Sequence, residues 1–122
     1  MTSARISAFE NLLNGIVKRI QQKFPRDRDV FNVATQIDLS MSVSKRKVIT
    51  TIAETIRPFQ AELARRDVQF FMDLTNAEAS KEGLGALDLA SKWTKFTKEE
   101  QDQLFIDVTK LYNLAERLVS EM

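Results

Sequence analysis

The sequence predicts an all-α domain, built as a compact bundle of about three long amphipathic helices and two or three short ones. Helix-forming residues are abundant, and only three glycines and two prolines interrupt 122 residues. Apolar residues also recur at steps of three and four along several segments. With 43% hydrophobic and 29% charged residues, the composition is that of a folded protein, and the length fits one domain over residues 1–122.

The first predicted helix covers about residues 4–23. Ser3 or Ser7 can cap it, the latter in a capping box with Glu10. Pro25 ends it, because proline lacks an amide hydrogen and clashes with the preceding turn. Its apolar stripe consists of Ile6, Phe9, Leu13, Ile16 and Ile20.

A second, shorter helix is predicted after this proline, where Asp27 or Asp29 can accept hydrogen bonds from the free amide groups of the first turn. We interpret the polar and apolar alternation over Ser40–Ser44 as a turn, because it is too short and too isolated for a paired strand. The apolar residues of the helix are Val30, Phe31, Val33, Ala34, Ile37 and Met41.

A third helix is predicted to begin after Ser44, whose side chain can cap it. Pro58 either kinks this helix or begins a new one, because the residue before a proline, Arg57, is disfavoured in helical angles. Both alternatives stay open. The apolar residues on one side of this segment are Val48, Ile52, Ile56, Phe59 and Leu63.

The following segment is an apolar cluster at Asp67–Leu74, closed by a capping signature from Thr75 to Glu78. Gly83 and Gly85 mark a loop. A short helix then brings apolar residues toward the core, namely Leu84, Leu87, Leu89, Trp93 and Phe96.

The last predicted helix covers about residues 98–120 and has the clearest start, because Thr97 and Glu100 form a capping box. Ala115 allows a neighbouring helix to approach closely. Its stripe alternates steps of four and three through Leu104, Val108, Leu111, Ala115, Leu118 and Met122.

The chain offers few groups for chemistry. It contains no cysteine and no histidine, which excludes disulfides, thiol nucleophiles and the commonest general base. Its seventeen carboxylates fall in no metal-ligand spacing, and no phosphate-binding glycine motif occurs. We therefore expect a protein that is not an enzyme, with no catalytic residue, no metal site and no cofactor.

Charge divides unevenly along the chain, because residues 1–66 carry a net charge of +6 and residues 67–122 a net charge of −5. The halves can pair within the bundle, associate head to tail between chains, or present a basic face to an anionic partner.

Lys45, Arg46 and Lys47 are the candidate contact for an anion or a nucleic acid, since three cations at a helix start oppose the helix dipole. The alternative is that they pair with the acidic C-terminal half. The basic surface would be extended, if the first and third helices lie side by side, by Lys18, Arg19, Lys23, Arg26 and Arg28.

Phe70, Phe71 and Trp93 are the candidate anchors of a protein interface if they are exposed, although large aromatic residues in a small domain more often belong to the core. No segment reaches the ~20 apolar residues of a membrane span, and the N-terminus does not have the pattern of a signal peptide. We expect a soluble protein that is not secreted.

Three mostly apolar motifs occur in order along the chain: Phe24-Pro25-x-Asp27-x-Asp29, then Val48-Ile49-x-x-Ile52-x-x-x-Ile56-x-Pro58-Phe59 leading to Asp67-x-x-Phe70-Phe71, and Trp93-x-x-Phe96-Thr97. With them, over about residues 24–118, the chain resembles small helical proteins of large double-stranded DNA viruses of algae and amoebae. The resemblance implies a viral origin, in the virion or in the cytoplasm of an infected cell. It assigns no functional residue.

Together these observations predict a helical module that interacts with other protein chains, either different proteins or a second copy of itself, and that serves as a viral structural or accessory protein. Nucleic-acid binding through the basic N-terminal half is the alternative.

Overall fold

The computed structural model describes residues 2–76 and 88–122. Within these ranges the chain is helical and contains no strand, so the predicted all-α class is confirmed. Tight 3-10 turns lie at Arg57–Phe59 and Trp93–Lys95. The helices are α1 (Thr2–Lys23), α2 (Arg28–Val43), α3 (Lys45–Ile56), α4 (Gln60–Ala64), α5 (Gln69–Asn76), α6 (Leu89–Lys92) and α7 (Lys98–Glu121).

Helix α7 is the centre of the packing, because α1 and α3 both lie against it. It begins with the predicted capping box, in which Thr97 Oγ1 accepts from the Glu100 amide and the Glu100 carboxylate accepts from the Thr97 amide. The predicted stripe is buried except for Met122, which is 49% exposed. Ala115 is fully buried, in keeping with a close helix–helix approach at that position.

Helix α1 begins earlier than predicted, at Thr2. Ser3 and Ser7 therefore lie inside the helix, and the prediction that either caps it is wrong, because a cap residue needs non-helical angles. The apolar stripe of α1 is buried as predicted, with Ile6 half-buried at its start.

Helix α2 continues through the segment that the sequence indicated as a turn. The helical period of its buried residues extends from Ile37 to Met41, so the chain stays helical as far as Val43. Only Ser44 leaves helical angles, with φ −157° and ψ 104°. Its Oγ accepts a hydrogen bond from the Lys47 amide at 3.2 Å, which confirms the predicted cap of α3.

A new short helix follows Pro58, although Arg57 keeps helical angles of φ −48° and ψ −45°, so the expectation that this residue leaves them is wrong. Helix α3 ends at Ile56, the 3-10 turn containing Pro58 follows, and α4 begins at Gln60. Just after α4, Arg66 lies in the left-handed region at φ 53°. The Asp67 amide donates a hydrogen bond to the Glu62 carbonyl at 3.0 Å, as is common at the end of a helix.

Helices α5, α6 and α7 meet around four aromatic rings. Phe71 contacts the rings of Phe70, Trp93 and Phe105 at centroid distances of 4.8–5.1 Å. The predicted Thr75–Glu78 capping signature and the predicted loop glycines Gly83 and Gly85, with Leu84 and Leu87, fall wholly or partly outside the described residues.

Candidate interaction surface

The predicted basic cluster lies at the first turn of α3, and all three of its side chains are exposed. Lys45 Nζ is 3.0 Å from Glu10 Oε2 on α1. Arg46 and Lys47 form no side-chain ion pair with any part of the chain that the structure describes. Lys45 thus pairs with a carboxylate of α1, and no pairing of the cluster with the acidic C-terminal half is found among the residues that the structure describes.

The charge asymmetry of the two halves is instead satisfied along α7. Four cations of the N-terminal half pair with carboxylates of this helix, so internal pairing is confirmed as one role of the split charge. The pairs are Arg5 with Glu121, Arg19 with Asp107, Lys23 with Glu100, and Arg57 with Glu116. Of the residues expected to extend the basic surface, Arg19 and Lys23 form internal ion pairs. The other three are exposed: Lys18, Arg26 and Arg28.

The outward side of α2 carries a row of apolar side chains that face solvent. Phe31 is 62% exposed, Leu39 is 63% exposed and Val43 is 85% exposed. Together with Thr35 these residues are spaced four apart, which places them along one ridge of the helix. We call Phe31, Leu39 and Val43 the α2 ridge.

The surface around the α2 ridge is nearly free of charge. Between residues 30 and 44 the only charged residue is Asp38. Uncharged side chains lie beside the ridge, namely Asn32, Thr35, Gln36 and Ser42, and the exposed carboxylates Asp29 and Asp38 lie at the two margins of this face.

Positive groups lie at the two ends of this surface. Arg28 precedes Phe31 by three residues and shares its side of the helix, and Arg46 and Lys47 follow Val43 within four residues. Like Arg46 and Lys47, Arg28 forms no ion pair within residues 2–76 and 88–122. We call Arg28, Arg46 and Lys47 the end cations. The surface is therefore apolar and uncharged in the middle and basic at its ends.

An open groove of about 480 Å³ lies between the end of α1 and the start of α7. Its charged groups already contact one another, because Lys23 Nζ is 2.8 Å from Glu100 Oε1 and 5.9 Å from the ring centroid of Phe96. The hydrogen bond from Lys23, together with the Thr97 amide, lowers the pKa of the Glu100 carboxyl. The charged groups that line this groove are therefore already paired with each other. No group of three side chains that could bind a metal ion occurs in the residues that the structure describes.

The candidate interface at Phe70, Phe71 and Trp93 needs correction. Phe70 and Phe71 are 0% and 1% exposed, and Phe71 packs on Trp93 and on Phe105 of α7, so neither ring can be reached by a partner in this fold. Trp93 is half-buried and packs on the same aromatic cluster. These aromatic residues therefore belong to the core or pack against it, as the alternative interpretation of the sequence expected.

The α2 ridge was missed because the sequence-based interpretation placed Phe31 in the same apolar set as Val30 and Ala34. The sequence nonetheless contains the pattern. Phe31, Leu39 and Val43 are separated by multiples of four residues, and they lie on the side of the helix opposite the buried residues. A helix that is apolar on two opposite sides buries only one of them in its own domain.

None of the helices in residues 2–76 and 88–122 has the length and apolar character to cross a bilayer. In comparisons with known proteins, no family model, no curated protein and no solved structure matches the chain.

Proposed function

We propose that this chain is a non-enzymatic helical interaction module that binds another protein chain through the α2 ridge and the end cations. The observation that supports the proposal is the exposure of Phe31, Leu39 and Val43 along a single helix ridge. Apolar side chains scattered singly are ordinary on protein surfaces, whereas several exposed on one helix face favour an interaction site.

Burial of this ridge against a partner lowers the free energy of its apolar side chains. Full burial of a valine, leucine or phenylalanine side chain contributes about 1.5–3 kcal/mol relative to exposure. Phe31, Leu39 and Val43 lie eight and four residues apart along one side of α2, and a row of apolar side chains on one helix face is what helix-in-groove recognition uses. Association also costs translational and rotational freedom, so the ridge needs the additional polar contacts that the end cations and the amides of Asn32 and Gln36 can supply.

The setting of this interaction is part of the same proposal. The resemblance to small helical proteins of large DNA viruses suggests a structural component of a virion or an accessory protein in the cytoplasm of an infected cell. In either setting the partner is a protein chain.

Nucleic-acid binding is the second candidate function, and one observation favours it: Arg46 and Lys47 are exposed and form no ion pair with any described residue. Replacing Lys45, Arg46 and Lys47 together by alanine is expected to abolish such binding, and raising salt from about 50 to 200 mM is expected to weaken it steeply. Binding that survives both changes excludes this function.

A site-specific photo-cross-linker in place of Leu39 tests the leading proposal in the cells that naturally produce the chain. The expected result is one defined protein adduct, identified by mass spectrometry and then reproduced with both purified proteins. The control is the same cross-linker in place of Asn113, which is exposed on α7.

Matched variants complete this test. Leu39→Asp is expected to abolish binding of the identified partner, whereas Asn113→Asp is expected to leave it unchanged. Equal binding by the two variants contradicts the proposed surface. Catalytic turnover that disappears on a single Asp or Glu substitution contradicts the non-enzymatic function.

A further inference from the structure

We infer that the partner of the α2 ridge is an acidic amphipathic helix, with an apolar stripe in the middle and carboxylates near both of its ends. This inference rests on the proposed function and adds the chemistry of the partner. Three observations carry it: the shape of the ridge, the placement of the end cations and the two carboxylates that flank the ridge.

The shape of the ridge fits a helix. From Phe31 to Val43 the ridge spans twelve residues of regular helix, about 18 Å at the helical rise. A row of side chains spaced four apart packs into the groove between the corresponding rows of another helix. The side chains of Thr35 and Asn32 beside the ridge are uncharged, so a helix can approach the ridge between the flanking carboxylates Asp29 and Asp38.

The end cations determine the charge of the partner. Arg28 lies one turn before Phe31, and the Cα atom of Arg46 lies within about 11 Å of that of Val43 because only three residues separate them. Neither guanidinium is engaged in an ion pair within the described part of the chain. Carboxylates at both ends of the partner would complement these groups and fix its position on the ridge.

The same charges argue against a second copy of this chain. An antiparallel symmetric pairing of two α2 ridges brings Arg28 of one chain toward Arg46 and Lys47 of the other. A parallel pairing brings each cation toward its own equivalent. Both arrangements juxtapose like charges at the ends of the ridge, which is unfavourable.

The flanking carboxylates argue against a uniformly anionic surface. Asp29 and Asp38 are exposed on the two sides of the outward face of α2 and form no ion pair among residues 2–76 and 88–122. An anionic bilayer or a nucleic acid would bring negative charge beside them, whereas a helix can place a neutral or basic residue there. Phe31 is also the only aromatic residue on the face, so base stacking has little support.

Three labelled synthetic helices test the inference. Each has about 18 residues and the same leucine stripe, and its flanking positions carry glutamate, glutamine or lysine. Fluorescence anisotropy at about 50 mM salt is expected to show the glutamate peptide binding roughly tenfold or more tightly than the glutamine peptide, with the lysine peptide weakest. This preference should shrink at about 200 mM salt.

Reversing the charge of the three end cations gives the most discriminating variant. The triple substitution Arg28→Glu, Arg46→Glu and Lys47→Glu changes only exposed residues, and it is expected to invert the order so that the lysine peptide binds most tightly. Leu39→Asp should weaken binding of the glutamate peptide by roughly tenfold or more, with Asn113→Asp as the matched control. Circular dichroism establishes that each variant is folded.

The outcomes separate this inference from the proposed function. Equal affinity for the three peptides, all lost on Leu39→Asp, overturns the acidic partner but leaves the docking surface intact. No saturable binding of any peptide also overturns the acidic helix, and the cross-linking experiment then decides the proposed function independently. Binding of phosphatidylserine vesicles, duplex DNA or a second copy that depends on Leu39, without peptide binding, overturns the inference in favour of that partner.

Discussion

Arg57, in the turn after α3, holds the carboxylate of Glu116 on α7 through two hydrogen bonds. The Nε and Nη2 groups of Arg57 donate to Oε2 and Oε1 of Glu116 at 2.8 and 2.6 Å. Tyr112 Oη also donates to Oε2 at 2.7 Å. The hydrogen bonds from Arg57 are the main reason that the pKa of Glu116 falls to about 2, while burial, followed by the hydrogen bond to Glu116, raises the pKa of Tyr112 to about 12.

Glu116→Gln should therefore destabilise the fold. A bidentate Arg–carboxylate pair is stronger than an ordinary surface ion pair, but Arg57 is nearly half exposed, so we expect a loss of about 1–2 kcal/mol in the free energy of unfolding at neutral pH. Urea denaturation measures it. Glu99→Gln changes an exposed carboxylate with no ion pair in the described residues and should stay within about 0.5 kcal/mol of the parent. Equal losses in the two variants would contradict the role of this pair.

The pH dependence of this contribution has a definite sign. The folded-state pKa of Glu116, about 2, lies below its ordinary value of 4.5, so the stabilisation is fully present above 4.5 and disappears as the pH falls toward 2. Urea midpoints measured across this window should fall more steeply for the parent than for Glu116→Gln, so that the difference between them closes. Parallel curves would show that the carboxylate titrates normally in the folded protein.

Phe71→Ala should be far more damaging than the change at its neighbour, Met72→Ala. Phe71 is 1% exposed and contacts three aromatic rings, whereas Met72 is 41% exposed. We expect a loss of about 3–5 kcal/mol for Phe71→Ala and about 0.5 kcal/mol or less for Met72→Ala. Chemical denaturation of both variants measures the difference. Similar values for the two would place Phe71 outside the core.

The sequence was sufficient for the fold class and for most helix positions, because the buried stripes of α1 and α7 keep a helical period over many residues. It failed where local signals competed with that period. Ser40 and Ser44 suggested a turn, but burial of Met41 keeps the chain helical up to Val43. Tertiary packing outweighs the local preference of serine at such positions.

The candidate site was less predictable, because exposure depends on which helix faces meet. The basic cluster at Lys45–Lys47 could be identified from its residues alone. Whether Phe71 or Leu39 faces solvent depends on which helices pack against α5 and α2, which periodicity alone does not determine. The sequence-based prediction therefore chose Phe70 and Phe71, which are buried, and missed the exposed apolar residues of the α2 ridge.

Asp27 performs two roles that two substitutions can separate. Its Oδ1 accepts from the Val30 amide at 3.1 Å as the cap of α2, and its Oδ2 lies 3.4 Å from Nζ of the buried Lys92. Asp27→Asn keeps a good cap but removes the charge, whereas Asp27→Ala removes both. We therefore expect the alanine variant to be less stable than the asparagine variant by about 1 kcal/mol, measured in urea. Identical stability of the two would mean that the cap contributes nothing.

The proposed docking surface also makes a prediction about the stability of the isolated chain. Leu39 and Met41 lie two residues apart on α2, yet Leu39 is 63% exposed and Met41 only 6%. Leu39→Ala should change the free energy of unfolding by about 0.5 kcal/mol or less, because alanine favours helix and little burial is lost. Met41→Ala should cost about 2–5 kcal/mol, because it leaves a cavity in the core.

Thermal or urea denaturation of the two single variants measures this contrast, and the double variant should lose about the sum of the two values if the two sides of α2 act independently. A large loss for Leu39→Ala would mean that the ridge is already covered within the folded chain. The α2 ridge would then be part of the core, and the surface proposed for the partner helix would not exist.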